Sequence, residues 1–167
     1  EGQPQGNYAL IENGEFTKHI YDQFYAIKDE TESTGNGLRQ MNTFYALENK
    51  YALMPNNTVS NFQVDPKDKD LEQLISEVDH GILVESFSWL LPDETTGNFS
   101  SEMRVAYAIE KGELTTPLKG GLVYGNIFEL IKNISGISRT AEITSGGSML
   151  AGICPYIRFE DVNIAGV

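Results

Sequence analysis

Alternating apolar and polar positions, interrupted by glycine-bearing turns, run through most of the chain, and in two windows the period lengthens to that of a helix. The plan is clearest between residues 93 and 134. Two β-prone runs, 104–110 and 113–118, flank Lys111-Gly112. Glycine at the second position of a two-residue connection accepts positive φ, so this stretch predicts a hairpin. Beyond Gly120-Gly121 the period changes. Val123, Ile127, Leu130, Ile131 and Ile134 share a helical face, with Gly136 as the expected stop. A hairpin feeding a helix that covers the sheet is the expected organising unit.

Residues 1–6 read as a Gly/Pro/Gln loop. Runs 8–12 and 15–21 flank Asn13-Gly14, the strongest short hairpin dipeptide. Ile11-Glu12-Asn13-Gly14-Glu15-Phe16 is echoed by Ile109-Glu110-Lys111-Gly112-Glu113-Leu114. Convergence on good hairpin chemistry and internal duplication both account for this. Residues 22–30 suggest a short helix, and 31–37 a polar loop dense in turn formers. Runs 38–47 and 51–54 read as strands joined through Glu48-Asn49-Lys50, and 58–64 as another beyond Pro55-Asn56-Asn57. Asp68 or Asp70 can cap a helix carrying Leu71, Leu74, Ile75 and Val78, with Gly81 as its stop. Run 82–91 is a long strand with Trp89 near its end. Runs 137–144 and 153–159 are strands around Ser145-Gly146-Gly147-Ser148, and 162–165 adds a last edge. Many strands, two main covering helices and mostly hairpin connections give an α+β fold with a largely antiparallel sheet.

A length of 167 residues fits one domain with a real core. The net charge of −12, from 24 acidic and 12 basic residues, repels phosphate backbones and anionic membranes. Direct nucleic-acid and membrane binding are therefore not expected. No apolar run reaches the roughly 18 to 20 residues of a membrane span. The single Cys154 excludes an internal disulfide framework and suits a reducing, cytoplasmic compartment. With no initiator Met and no signal peptide, the chain is expected to be an excerpt of a longer protein.

Candidate chemistry is sparse. His19 and His80 are the only histidines, and neither lies in a metal-binding spacing. His80, after the helix and before Gly81, is expected against the helix C-terminus, where an imidazolium is favoured. His19 is expected as a surface strand residue. Cys154, at a strand entry after a Gly-rich loop, can pack as a small apolar side chain or serve as a metal ligand or reactive thiol. The loops Ser33-Thr34-Gly35-Asn36 and Ser145-Gly146-Gly147-Ser148 offer hydroxyls and backbone N–H groups, which suit plain turns or anion-binding nests. No acidic pair has the spacing of an acid/base couple.

Several segments taken together resemble the TldD/PmbA family, metallopeptidases once labelled modulators of DNA gyrase. They run from Leu10-Ile11-Glu12-Asn13-Gly14-Glu15-Phe16 and Ser33-Thr34-Gly35-Asn36 through Leu71-Glu72-Gln73-Leu74-Ile75 to Gly81-Ile82-Leu83-Val84. Next come Thr96-Gly97-Asn98-Phe99-Ser100, Ile109-Glu110-Lys111-Gly112-Glu113-Leu114 with Pro117, and Gly125-Asn126 with Asn133-Ile134. Gly147-Ser148-Met149-Leu150 and Pro155-Tyr156-Ile157-Arg158 close the set. Its order and spacing resemble the family's C-terminal domain over nearly the whole chain.

The resemblance implies a zinc-binding His-Glu-x-x-x-His helix outside these residues, paired in catalytic members with a Cys near the C-terminus. Cys154 is the only candidate here for that third metal ligand. Zinc so held lowers the pKa of a bound water to about 7 and polarises the scissile carbonyl. The resemblance also implies a dimer of paralogous or identical subunits that cuts unfolded or modified peptides. This chain would then supply scaffold and groove. A strand edge would hold extended peptide, and Ser33, Thr34, Gly35 and Asn36 would make the substrate-side contact. The ending of the chain looks more like the non-catalytic partner, so an interaction subunit is the alternative. A literal gyrase modulator that contacts DNA is disfavoured by the charge.

Overall fold

The computed structural model describes residues 2–39, 54–59, 61–88, 91–144 and 152–166. The chain divides into two compact units, Glu1–Phe62 and Gln63–Val167. The first opens with β1 (Ile11–Glu12) and β2 (Glu15–Phe16), paired antiparallel. Asn13 and Gly14 have φ of 52° and 83°, the mirror-image turn whose twist matches that of its flanking strands. The ladder is shorter than the expected 8–12 and 15–21. It ends where Thr17 N–H donates to the Leu10 carbonyl at 2.8 Å.

Helix α1 (Gln23–Lys28) starts where the Asp22 carboxylate accepts the Tyr25 N–H at 2.8 Å. That bond satisfies one of the helix's orphan donors. Strand β3 (Gly37–Leu38) pairs antiparallel with β4 (Asn56–Asn57). Most of the strands expected at 38–47 and 51–54, with their connection, lies outside the described residues. The strand expected at 58–64 is confined to β5 (Phe62–Gln63), which spans the unit boundary.

The second unit begins with α2 (Leu71–Ser76), where the Gln73 side chain accepts the Asp70 N–H at 2.9 Å. Asp70 is the N-cap, and Leu74 is the buried residue of the helix. The helix ends earlier than expected. Its C-cap is Glu77, while Gly81 and His80 belong to β6 (His80–Phe87). His80 therefore pairs across the sheet with Glu110 rather than capping a helix, and its ring lies 3.5 Å from Asp79.

Strand β7 (Asn98–Glu110) is the spine of the largest sheet. One edge pairs with β6; the other pairs with β8 (Glu113–Leu118) and with β9 (Leu122–Asn126). The β7–β8 turn is the expected two-residue hairpin, with φ of 51° at Lys111 and 79° at Gly112. Pro117 sits in β8, which has one described neighbour, where a missing N–H costs little.

The helix expected from 123 to 134 is cut at both ends. Val123 is held in β9 opposite Ser101, and α3 spans only Ile127–Lys132. The reason is Asn126. Its side-chain oxygen accepts the Phe128 N–H at 3.0 Å, and its amide donates to the Thr96 carbonyl at 2.7 Å. Gly136 is not a stop either, since it lies within β10 (Ile134–Thr144). Ile127 and Leu130 pack on a core of Phe99, Met103, Ala106 and Val123, so the short helix does cover the sheet.

Strands β10 and β11 (Gly152–Phe159) pair antiparallel, and β12 (Asn163–Ala165) adds an edge to β9. A bulge between Ile137 and Ala141 is stabilised by the buried Ser138 hydroxyl. It accepts the Tyr156 N–H at 2.8 Å and donates to the Thr140 carbonyl at 2.9 Å. The Arg158 guanidinium ties α2 to this sheet. It donates to the Glu77 carboxylate at 2.9 Å and to the Leu74 carbonyl at 3.4 Å. Among the described residues the result is α+β, with antiparallel ladders and three short helices.

Two outcomes follow for stability. A Cβ at Gly112 would meet the Ser76 carbonyl oxygen at 2.7 Å, at positive φ. Gly112→Ala is therefore expected to cost more than about 1 kcal/mol in urea denaturation, whereas Lys111→Asn, which suits the same turn, leaves the midpoint unchanged or raised. Lys69 first, and then Arg158, hold the Glu77 carboxyl below its ordinary range. A depressed folded-state pKa gives stability that is present above the unfolded carboxylate's pKa and lost as pH falls through the folded one. Glu77→Gln should flatten the acid limb of the thermal-midpoint profile and leave its neutral limb parallel to wild type.

Candidate functional site

The 33–36 loop lies in the first unit and is tied chiefly to Tyr21. The Thr34 hydroxyl oxygen accepts the Tyr21 N–H at 2.7 Å, and the Thr34 N–H donates to the Tyr21 carbonyl at 3.0 Å. The Ser33 hydroxyl donates to that carbonyl at 3.1 Å and accepts the Gly35 N–H at the same distance. Gly35 has φ of 76°, and a Cβ there would lie 2.5 Å from the Pro4 carbonyl oxygen. Only glycine fits this crossing without displacement.

Asn36 is 3% exposed. Its amide donates to the Thr58 carbonyl at 2.8 Å, and its oxygen accepts from the Tyr8 hydroxyl and lies 2.6 Å from the Thr34 hydroxyl. The structure thus brings the four predicted residues together as one hydrogen-bonded loop. Much of its polar capacity is used internally.

Ser33 and Thr34 also form part of the wall of an open cleft of about 500 Å³, with Tyr8, Lys18, His19, Tyr21 and Glu32 among its other lining residues. Lys18 places its ammonium 4.4 Å from the centre of the Tyr8 ring. His19 is exposed but not in a strand, and its ring meets Phe16 and Tyr21 edge-on. Burial first, and then the Asp29 carboxylate that accepts the Tyr21 hydroxyl at 3.2 Å, pushes the Tyr21 phenol up. Tyr8, Lys18 and Glu32 were not singled out from sequence. An aromatic residue and a cation ten positions apart carry no local motif.

Cys154 lies in the second unit, in β11 opposite Glu142. It is half-buried, its thiol is pushed up by burial, and it lies 3.3 Å from the Pro155 carbonyl. Burial is the sole cause of that shift, and a bound metal ion would act on the thiol in the opposite sense. Among the described residues no three His, Cys, Asp or Glu side chains converge in a metal-binding group. The described donors therefore do not fit a zinc site by themselves. The Ser145-Gly146-Gly147-Ser148 loop lies outside the described residues. No helix among the described residues is long and apolar enough to cross a membrane.

Comparison with known proteins gives a consistent result. The sequence model for the PmbA/TldA metallopeptidase C-terminal domain matches residues 1–166. A protein named metalloprotease TldD homolog from Buchnera aphidicola (Schizaphis graminum) is 31% identical over 99% of this chain and 34% of its own length. One of the same name from Haemophilus influenzae is 26% identical over the same shares. The chain thus spans about a third of the curated relatives it matches. The crystal structure of TldE from Thermococcus kodakarensis superposes with a TM-score of 0.84 at 31% identity, covering 99% of this chain and 35% of that one. A candidate modulator of a DNA gyrase from Thermotoga maritima shares the fold, with a TM-score of 0.75 at 21% identity over 98% of this chain and 34% of its own.

Asn36→Ala removes the acceptor of the Tyr8 hydroxyl and the donor to Thr58. Leaving such buried groups unpaired should cost about 1–3 kcal/mol. Hydrogen exchange is expected to show the loss of protection concentrated at Tyr21, Thr34 and Thr58, whose N–H groups these bonds shelter.

Proposed function

Because the chain belongs to the PmbA/TldD metallopeptidase family, as its C-terminal domain, we propose that it supplies scaffold and peptide groove to an enzyme that cuts unfolded or modified peptides. The observation that carries this reading is the match of the family's C-terminal domain to 166 consecutive residues. Relatives bearing the name metalloprotease support it. In this reading zinc is held mainly by a His-Glu-x-x-x-His helix elsewhere in the full-length protein. The protein works in the cytoplasm as a dimer of paralogous or identical subunits.

The contribution of this chain is positioning. Strand β6 ends the sheet order among the described strands. Its outer backbone groups suit an extended peptide held by main-chain hydrogen bonds, with little demand on side-chain identity. Within the first unit, the 33–36 loop on the cleft wall is a candidate of its own for substrate-side contact. No chemical step is assigned to residues of this chain.

The Cys154 environment favours a second reading, a non-catalytic subunit that supports a catalytic paralogue. The two readings are separated by the purified full-length protein acting on an unfolded peptide, alone and mixed with a paralogous subunit. The first expects hydrolysis by the protein alone that stops on chelation and returns with zinc. Hydrolysis seen only in the mixture selects the second, and hydrolysis indifferent to chelation overturns both. Cys154→Ser with metal quantification decides the thiol's part. Zinc content falls if the thiol is a ligand and holds if it only packs.

A further inference from the structure

We propose that the cleft of the first unit recognises a carboxylate of a peptide ligand, with Lys18 as the pairing cation. This rests on the peptide-binding reading above and names the chemical group recognised. The first observation is the state of Lys18. Lys69 and Lys132 each rest on a carboxylate, Glu77 and Glu129. Lys18, like Lys28, Lys67, Lys111 and Lys119, makes no ion pair with a described residue; what distinguishes it is that its ammonium is held over the Tyr8 ring on the cleft wall. Acids outnumber bases 24 to 12 in this chain. An ammonium kept on an aromatic face in a cleft is thus a charge still available to a ligand.

The second observation is how that ammonium is positioned. The Tyr8 hydroxyl donates to the buried Asn36 oxygen, and Asn36 is anchored through its amide to Thr58. The ring is therefore fixed by the same loop that builds the cleft wall. A cation over a ring face keeps N–H groups free to donate. Asn36 is a positioning residue in this scheme, acting through Tyr8.

The third observation concerns the ligand. A cleft of about 500 Å³ is in the range that takes a small group or a peptide end. Glu32 shares the wall, and its charge opposes every anion there, a multiply charged one such as phosphate more strongly than a single carboxylate. A single carboxylate is the fitting anion. A charge-assisted contact made by an exposed lysine is worth about two- to fivefold in affinity at low salt.

The test uses the full-length protein and three acetylated apolar pentapeptides in titration calorimetry at low ionic strength. One has a free C-terminal carboxylate, one is its amide, and one is that amide with a single internal Asp. The expected result is that a carboxylate-bearing peptide binds about two- to fivefold tighter than the plain amide, with the gap lost in Lys18→Gln and kept in Lys18→Arg. Which of the two acidic peptides shows this gap assigns the carboxylate to the chain end or to a side chain. Equal affinities for all three peptides, or a gap that survives Lys18→Gln, overturns the proposal and leaves the peptide-binding reading standing. If none of the three binds, the peptide-binding reading fails and this inference fails with it.

Discussion

The largest sheet of the second unit depends on one strand carrying three ladders along its two edges. Residues 103–110 of β7 pair with β6, while its opposite edge is shared between β9 at 98–102 and β8 at 106–110. Side chains in a strand alternate between faces, so a one-residue slip on either edge would turn Phe99 and Met103 outward together. The structure fixes the phase locally. Phe99, Ser101 and Met103 point inward, two exposed residues follow at Arg104 and Val105, and burial resumes at Ala106. That break coincides with register shifts on the β6 side, where Glu85 lies between paired neighbours. Such an irregularity bends the strand and lets it serve partners with different directions.

Around this spine the turns and caps are local, and they are what the sequence showed best. Asn13-Gly14 and Lys111-Gly112 form the two-residue turns their composition predicts, each with both residues at positive φ. Asp22 and Asp70 start their helices as short polar caps do. The antiparallel α+β class followed from these features. The errors lie where long-range pairing overrides helical spacing. Val123 fits the face of α3, yet it is held in β9 opposite Ser101, and the Asn126 side chain that caps α3 is also tied to the distant Thr96 carbonyl. His80 and Gly81 were read as a helix end because their strand partners, Glu110 and Ile109, lie about thirty residues away in sequence.

The candidate site was legible only in part, for the same reason. The 33–36 loop stood out by its turn formers, and the family resemblance matched these residues. Its partners did not. Tyr8, Lys18 and Tyr21 reach the same cleft through a crossing at Gly35 and Pro4, and no spacing in the chain encodes that contact. Cys154 was open between packing and ligation. Its half-buried thiol beside the Pro155 carbonyl is a property of the fold around β11, which composition does not reveal.

Strand β6 has a wider consequence. Gly81, Ile82, Leu83 and Val84 run along a sheet edge that carries neither lysine nor proline within the strand, the usual guards against edge-to-edge pairing. Glu85 within the strand and the chain's net charge of −12 oppose self-association of such a ribbon. That protection is colloidal rather than steric. Added salt shortens its reach to about 10 Å at 0.1 M, so pairing along the β6 edge is opposed less as ionic strength rises.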